Sequence, residues 1–364
     1  TITGPPFGGR REHIMKFEEK ELNRVGSYKI PGIYGMPSVE IPKLDTPITP
    51  RENMIRMLKN EKPLWLPNQL RDNNALCPYV MPDSTARAYG GIDWFGIDWK
   101  FEKTCGASMV RPGTRRLSHI KNWRKEIVWP DLNAIDWEKD FQENYASCGL
   151  PNDRFSYFVI LNGMFERLAD LTSFSDAFLY LLEEPDELNA FYEKLTDWHI
   201  QLIRIAKKYY HPDMILWHDD MGSQKNAFFS PDLYEEILLP HYQRITKAAH
   251  EEGMFITLHS CGCVGVQIEN FIKAGFDAWE GQDGINNKDA IMEQYGDRLA
   301  QIGNFIIEES VSDEEAIEMI HQRVETLGKT GRYACRLHIY GAEKRKVDLA
   351  DELYKISRIY YSEH

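Results

Sequence analysis

The run His259-Ser260-Cys261-Gly262-Cys263 carries three side chains that bind metal ions. Residues two apart in an extended chain point to the same side. His259 and Cys261 therefore reach one ion if the chain is extended there, and Gly262 permits a tight turn directly after them. An imidazole with thiolates is a zinc-type donor set. The third ligand has to come from a distant part of the chain, where Cys335 is best placed. Glu280 is a candidate fourth ligand that substrate would displace. Cys263 competes weakly, because Gly262 turns the chain between it and Cys261. Cys77, Cys105 and Cys148 have no His or Cys neighbour and read as ordinary small hydrophobes. A second constellation is Trp217-His218-Asp219-Asp220. An Asp beside a zinc site can orient a ligand or act as acid or base. Asp219 is expected to face the pocket more readily than His218.

These residues stand at the ends of short apolar runs. Eight runs read as strands: Leu64–Gln69, Trp94–Trp99, Tyr157–Asn162, Met214–Asp219, Phe255–His259, Asp277–Gly281, Leu299–Gly303 and Tyr333–Leu337. Amphipathic helices alternate with them. Thr49-Pro50-Arg51-Glu52 and Ser312-Asp313-Glu314-Glu315 are capping boxes. Leu188, Phe191, Leu195, Trp198, Leu202 and Ile205 form a one-face stripe. Ser230-Pro231 opens a helix expected to run to Gly253. This alternation predicts an α/β fold, a (β/α)8 TIM barrel over 49–364, preceded by an irregular N-terminal arm, 1–48, and carrying an enlarged loop region at 100–155. No G-x-G-x-x-G follows the first strand, which weakens a dinucleotide-binding, open-sheet alternative.

Barrel enzymes place reactive groups at the C-terminal ends of their strands. Those ends nominate Asp219, His218 and Glu280 for catalysis. They nominate Asn68, Asp98, Asn162, Trp217 and Asn304 for substrate contact, and His259, Cys261 and Cys335 for metal. Trp65, Trp94, Trp99 and Trp279 near the same rims are candidate pocket walls.

Composition narrows the partners. The 364 residues include 43 Lys or Arg and 56 Asp or Glu, a net charge of −13. That balance disfavours nucleic acid and anionic membrane surfaces. No apolar run is long enough to cross a membrane, and Thr1–Arg11 has no apolar signal core. Six cysteines are too sparse for a disulfide scaffold, so a reduced, cytoplasmic protein is expected.

The stretch from Trp217 to Gly303 resembles the uroporphyrinogen decarboxylase superfamily. The segments that carry the resemblance are Trp217-His218-Asp219-Asp220-Met221-Gly222, Phe229-Ser230-Pro231, Leu239-Pro240, Leu258-His259-Ser260-Cys261-Gly262, Gly275-Phe276-Asp277 and Ile302-Gly303-Asn304. The resemblance implies a (β/α)8 barrel. True decarboxylases of this superfamily carry paired arginines near the N-terminus. Here the corresponding stretch reads Asn68-Gln69-Leu70-Arg71-Asp72, without them. The zinc-dependent methyltransferase branch carries His-x-Cys and a distant Cys, which His259, Cys261 and Cys335 resemble. Cys335 departs from the Gly-Cys-Gly turn usual there, which makes His338 the alternative third ligand. This branch implies Zn2+ and a corrinoid held by a separate corrinoid protein, since the chain lacks Asp-x-His-x-x-Gly. The expected reaction moves a methyl group from a methoxylated aromatic to Co(I). The alternatives are a methyl-corrinoid:thiol methyltransferase, a metal-free decarboxylase and a non-catalytic binding protein, and a homodimer is left open.

Overall fold

The computed structural model describes residues 15–33, 36–104 and 106–364. Thr1–Arg11 and Cys105 lie outside them. Where the sequence suggested an irregular arm, β1 (Arg24–Ile30) and β2 (Val39–Leu44) pair as an antiparallel hairpin. Helix α1 (Pro50–Leu58) starts as its sequence dictates: the Thr49 hydroxyl accepts from the Glu52 amide at 3.1 Å.

The expected first strand, Leu64–Gln69, makes only an isolated bridge, Asn68 to Cys335. Its chemistry explains why. Pro67 has no N–H to give to a ladder. Asn68 then caps a one-turn helix, Gln69–Asp72, by accepting from the Arg71 amide. The true strand β3 (Asn73–Leu76) follows.

Between β3 and the next strand of the main sheet lies an insertion longer than the predicted 100–155. It holds α2 (Pro82–Tyr89) and a small antiparallel sheet, β4 (Gly90–Ile92), β5 (Asp98–Glu102) and β6 (Ala107–Val110). The run Trp94–Trp99, expected as the second barrel strand, belongs to this insertion. Its apolar side chains join the core on the helix side of the main sheet: Phe95 packs edge-on against Trp198, ring centroids 5.2 Å apart.

The main sheet then continues with β7 (Phe155–Ile160), β8 (Met214–His218), β9 (Phe255–Ser260), β10 (Ala278–Gly281), β11 (Ala300–Ile307) and β12 (Tyr333–Ile339). With β3 they form seven parallel strands in the order β3-β7-β8-β9-β10-β11-β12. The sheet is TIM-barrel-like. One face is lined by Tyr157, Val159, Met214, Leu216, Ile302 and Ala334. The other packs on helices, among them α3 (Met164–Leu171), α4 (Pro185–Tyr210), α5 (Asp313–Glu325) and α6 (Glu343–Glu363). The α4 stripe is buried as its spacing requires except for the half-buried Ile205, and Ser312 and Glu315 make the reciprocal capping box of α5. The helix expected from Ser230 to Gly253 is two, Pro231–Ile237 and Leu239–Glu251, because Pro240 restarts it. No helix among the described residues is long and apolar enough to cross a membrane.

Candidate metal centre

Strands β8 and β9 end side by side, with His218 in register with His259. Both continue the inner face, two residues beyond Leu216 and Thr257. Their rings stack at 4.5 Å and 12°. Each ring gives Nδ1 to a buried carboxylate, His218 to Glu166 Oε2 at 2.6 Å and His259 to Glu280 Oε1. A carboxylate on Nδ1 orients an imidazole and leaves Nε2 for a metal. One donor atom from each of His218, Asp220 and His259 lies within 4.8 Å of the others. His259 Nε2 is also 3.4 Å from Cys261 Sγ and 4.0 Å from Asp220 Oδ1. Bonds of about 2.0 Å to nitrogen and 2.3 Å to sulfur separate two donors on one tetrahedral zinc by roughly 3.5 Å. The His259–Cys261 pair therefore fits a shared ion.

The electrostatics point the same way. Burial, then the charges of Asp220 and Glu280, push the Cys261 thiol up to about 12. Burial would also raise Glu280, but Arg336 and His259 outweigh it and hold the carboxyl down at about 2. Glu166 is likewise lowered: burial opposes, and His218 and Arg87 prevail. Ionised carboxylates behind the two rings, beside a buried thiol, make a surrounding that favours a divalent cation at the ring nitrogens.

The loops that carry the donors are fixed by backbone contact. Gly262 has φ 91°, and a Cβ there would stand 2.1 Å from the Gly222 carbonyl carbon. The loops after β8 and β9 therefore touch main chain to main chain. Cys263 donates its amide to Ser223 O at 2.7 Å, and Asp220 Oδ1 accepts the Cys261 amide at 2.7 Å. Asn286 accepts from the Val264 and Gly265 amides and donates to Gly262 O.

The uroporphyrinogen decarboxylase (URO-D) family model matches residues 152–333. That stretch is half of the chain and contains His218, His259, Cys261 and Glu280. The chain belongs to the uroporphyrinogen decarboxylase family. A methyltransferase from Methanosarcina mazei shares the fold with a TM-score of 0.61 at 14% identity, over 86% of this chain and 98% of that one. A B12-independent methionine synthase from Shewanella sp. W3-18-1 aligns at 12% identity with a TM-score of 0.42, over 94% of this chain and 96% of that one. No curated protein matches the chain.

Within this family member, several expected site residues stand elsewhere. Cys335 is fully buried among Leu66, Tyr333, Leu337 and Tyr361, on the helix side of β12. Its neighbour Arg336 points the opposite way and meets Glu280 Oε1 at 2.5 Å. The alternation of a strand thus withholds Cys335 from His259 and Cys261. Cys335→Ala is expected to keep the full metal content of the parent protein, at a stability cost of about 1–2 kcal/mol for the lost packing. Zinc analysis with thermal unfolding checks both.

Asp219, expected to act as acid or base, is turned away from His218. It is fully buried and accepts the amides of Met164, Phe165 and Glu166, with the Tyr242 hydroxyl as a further donor. It caps α3. Trp217 sits in the helix-side core against His199, and Trp65, Trp99 and Trp279 are equally buried. They are packing residues, not pocket walls. Asn68 is a helix cap, and Asp98 pairs with Arg111 in the small sheet. Asn162 is buried at φ 56°, with neither amide atom hydrogen-bonded. Asn304 is exposed and in register with Arg336, so it faces the same mouth, as does His338 two residues on. Glu280 is a hydrogen-bond partner of His259. Sequence reasoning assigned no role to Glu166, Arg87, Arg336 or Asp220, and the carboxylate it chose, Asp219, faces away from the rings.

Proposed function

We propose that the protein is a zinc-dependent methyltransferase that moves a methyl group from a methoxylated aromatic to the Co(I) corrinoid of a separate corrinoid protein. The observation that carries this reading is the cluster of His218, Asp220 and His259 donor atoms within 4.8 Å of one another at the strand ends, with Cys261 Sγ 3.4 Å from His259 Nε2. Family membership and the fold shared with a methyltransferase support it. In this reading Cys261 and His259 hold the ion, and Asp220 and His218 take the places that the sequence assigned to Cys335 and Glu280.

Zinc supplies a Lewis acid for the ether oxygen, making the phenolate a better leaving group. The chain's own residues do the rest. Glu280 and Glu166 fix the two rings. Arg336 keeps Glu280 ionised, so that Nδ1–H of His259 stays directed at it. Asn304 and His338 stand across the mouth to meet the polar substituents of the ring. One thiolate among nitrogen and oxygen donors leaves the ion more electrophilic than two would, which suits an oxygen leaving group better than a thiol acceptor. The C–O bond breaks with its electron pair on oxygen, and the methyl carbon bonds to cobalt.

The test supplies purified protein with a Co(I) corrinoid protein and a panel of methoxyarenes. The expected result is free phenol with the methyl-Co(III) absorption spectrum. Tetrapyrrole decarboxylation without metal, or methylation of a thiol from methylcobalamin with no demethylation, would replace this reading by one of its relatives.

A further inference from the structure

Two guanidiniums back the two ring-orienting carboxylates. Arg336 on β12 meets Glu280 from within the sheet. Arg87 comes from outside it, on α2 of the insertion, and its Nη2 lies 3.4 Å from Glu166 Oε1. The other oxygen of Glu166 takes His218 Nδ1. Glu166 is thus shared, one oxygen to the insertion and one to the proposed metal ligand.

The contact is a built one. The Arg87 guanidinium lies over the Trp99 ring at 5.1 Å. One turn earlier on α2, Asp83 binds Arg167, the residue after Glu166. Arg167 also holds Asp93 at 3.0 Å, and all three groups are fully buried. Asp93 in turn accepts the Phe95 and Ile97 amides and the Trp99 indole N–H. Residues 83 and 87 therefore grip residues 167 and 166 in a crossed double pair. The grip falls on the first turn of α3, whose amides Asp219 caps beside His218.

We propose that Arg87 is a positioning residue for the metal centre: it holds Glu166 against His218, so the insertion between β3 and β7 takes part in building the site. This rests on the metal reading above. Without Arg87, Glu166 loses the partner that fixes its plane, and the His218 ring loses its fixed direction. Carboxylates behind a ligating imidazole typically change metal affinity about 10- to 100-fold when disturbed.

The experiment uses the full chain loaded with Co2+ as a spectroscopic probe. Its readouts are the visible d–d bands and the rate of cobalt release to a chelator, with far-UV circular dichroism and thermal unfolding alongside. Arg87→Ala is expected to shift the d–d bands and release cobalt at least about tenfold faster, and Arg87→Lys to recover most of both. Arg87→Gln is read by the same criteria if Arg87→Ala does not fold. Unchanged bands and release in a folded variant overturn the proposal. So does faster release with unchanged bands that merely tracks a lower melting temperature in the Ala and Lys variants alike. Parent protein that takes up no cobalt overturns the metal reading itself, an outcome distinct from the other two.

Discussion

Cys261→Ala is expected to leave less than half an equivalent of zinc in carefully purified protein and to abolish methyl transfer. Cys261 is the sulfur donor nearest His259, and the loop that presents it is held by Asp220, Asn286 and the Gly222–Gly262 contact rather than by the metal. The fold should therefore survive the change. A Lewis acid contributes several kcal/mol to a charge-separating step, and losing about 4 kcal/mol lowers the rate about a thousandfold. Elemental analysis and turnover with the same methoxyarene check the two parts together. Cys263→Ala, two positions further along the loop, is the control expected to retain zinc. A Cys261→Ala protein with undiminished zinc would sink the metal assignment.

Arg167→Met is expected to cost the most stability of any single change near the site. Arg167 is fully buried between Asp83 and Asp93, so the variant leaves two carboxylates in the interior without their counter-charge. Removing one partner of such a network costs about 3–5 kcal/mol. Asp93 keeps its amide and indole donors, which points to the lower end of that range. The loss should depend on pH. Burial already pushes the Asp83 carboxyl up to about 6 with Arg167 present, against an ordinary value of 3.8. A raised carboxyl stabilises the folded protein as it takes up a proton, so ionising it costs stability as pH rises through the folded value. Without Arg167 the shift is larger still. Denaturant unfolding should therefore show a larger deficit at pH 7 than at pH 5, and a deficit independent of pH would argue against Asp83 as its source.

The sequence pattern located most strands and helices of the main sheet because capping residues and apolar stripes are local signals. It misassigned the first two of its eight strands, where Pro67 breaks the ladder and the apolar run Trp94–Trp99 packs on the helix side of the sheet instead of joining it. At the site, the His259-Ser260-Cys261 spacing was readable from the alternation of a strand. The choice between His218 and Asp219 was not. Strands of a parallel sheet are covered on both faces, so Met214, Ile215, Leu216 and Trp217 are uniformly apolar and do not reveal which parity faces inward. In β12 the signal was present: Arg336 and His338 share one parity and Cys335 has the other. Glu166 lies on α3, past the end of β7, and Arg87 lies on α2 of the insertion; the ion pair between them is a tertiary contact that strand periodicity does not reveal.

Seven consecutive register pairs tie β12 to β11, and the Asn68 bridge pins Cys335 from the other side. A slip by one residue would exchange every inward side chain of the strand for its outward neighbour, and those pairings forbid it. Within β12, a descendant of this chain could therefore gain a second sulfur donor by substitution at position 336 or 338, but not from Cys335 itself. The thiol one residue away is not an evolutionary stepping stone, and its retention or loss says nothing about whether the centre is intact.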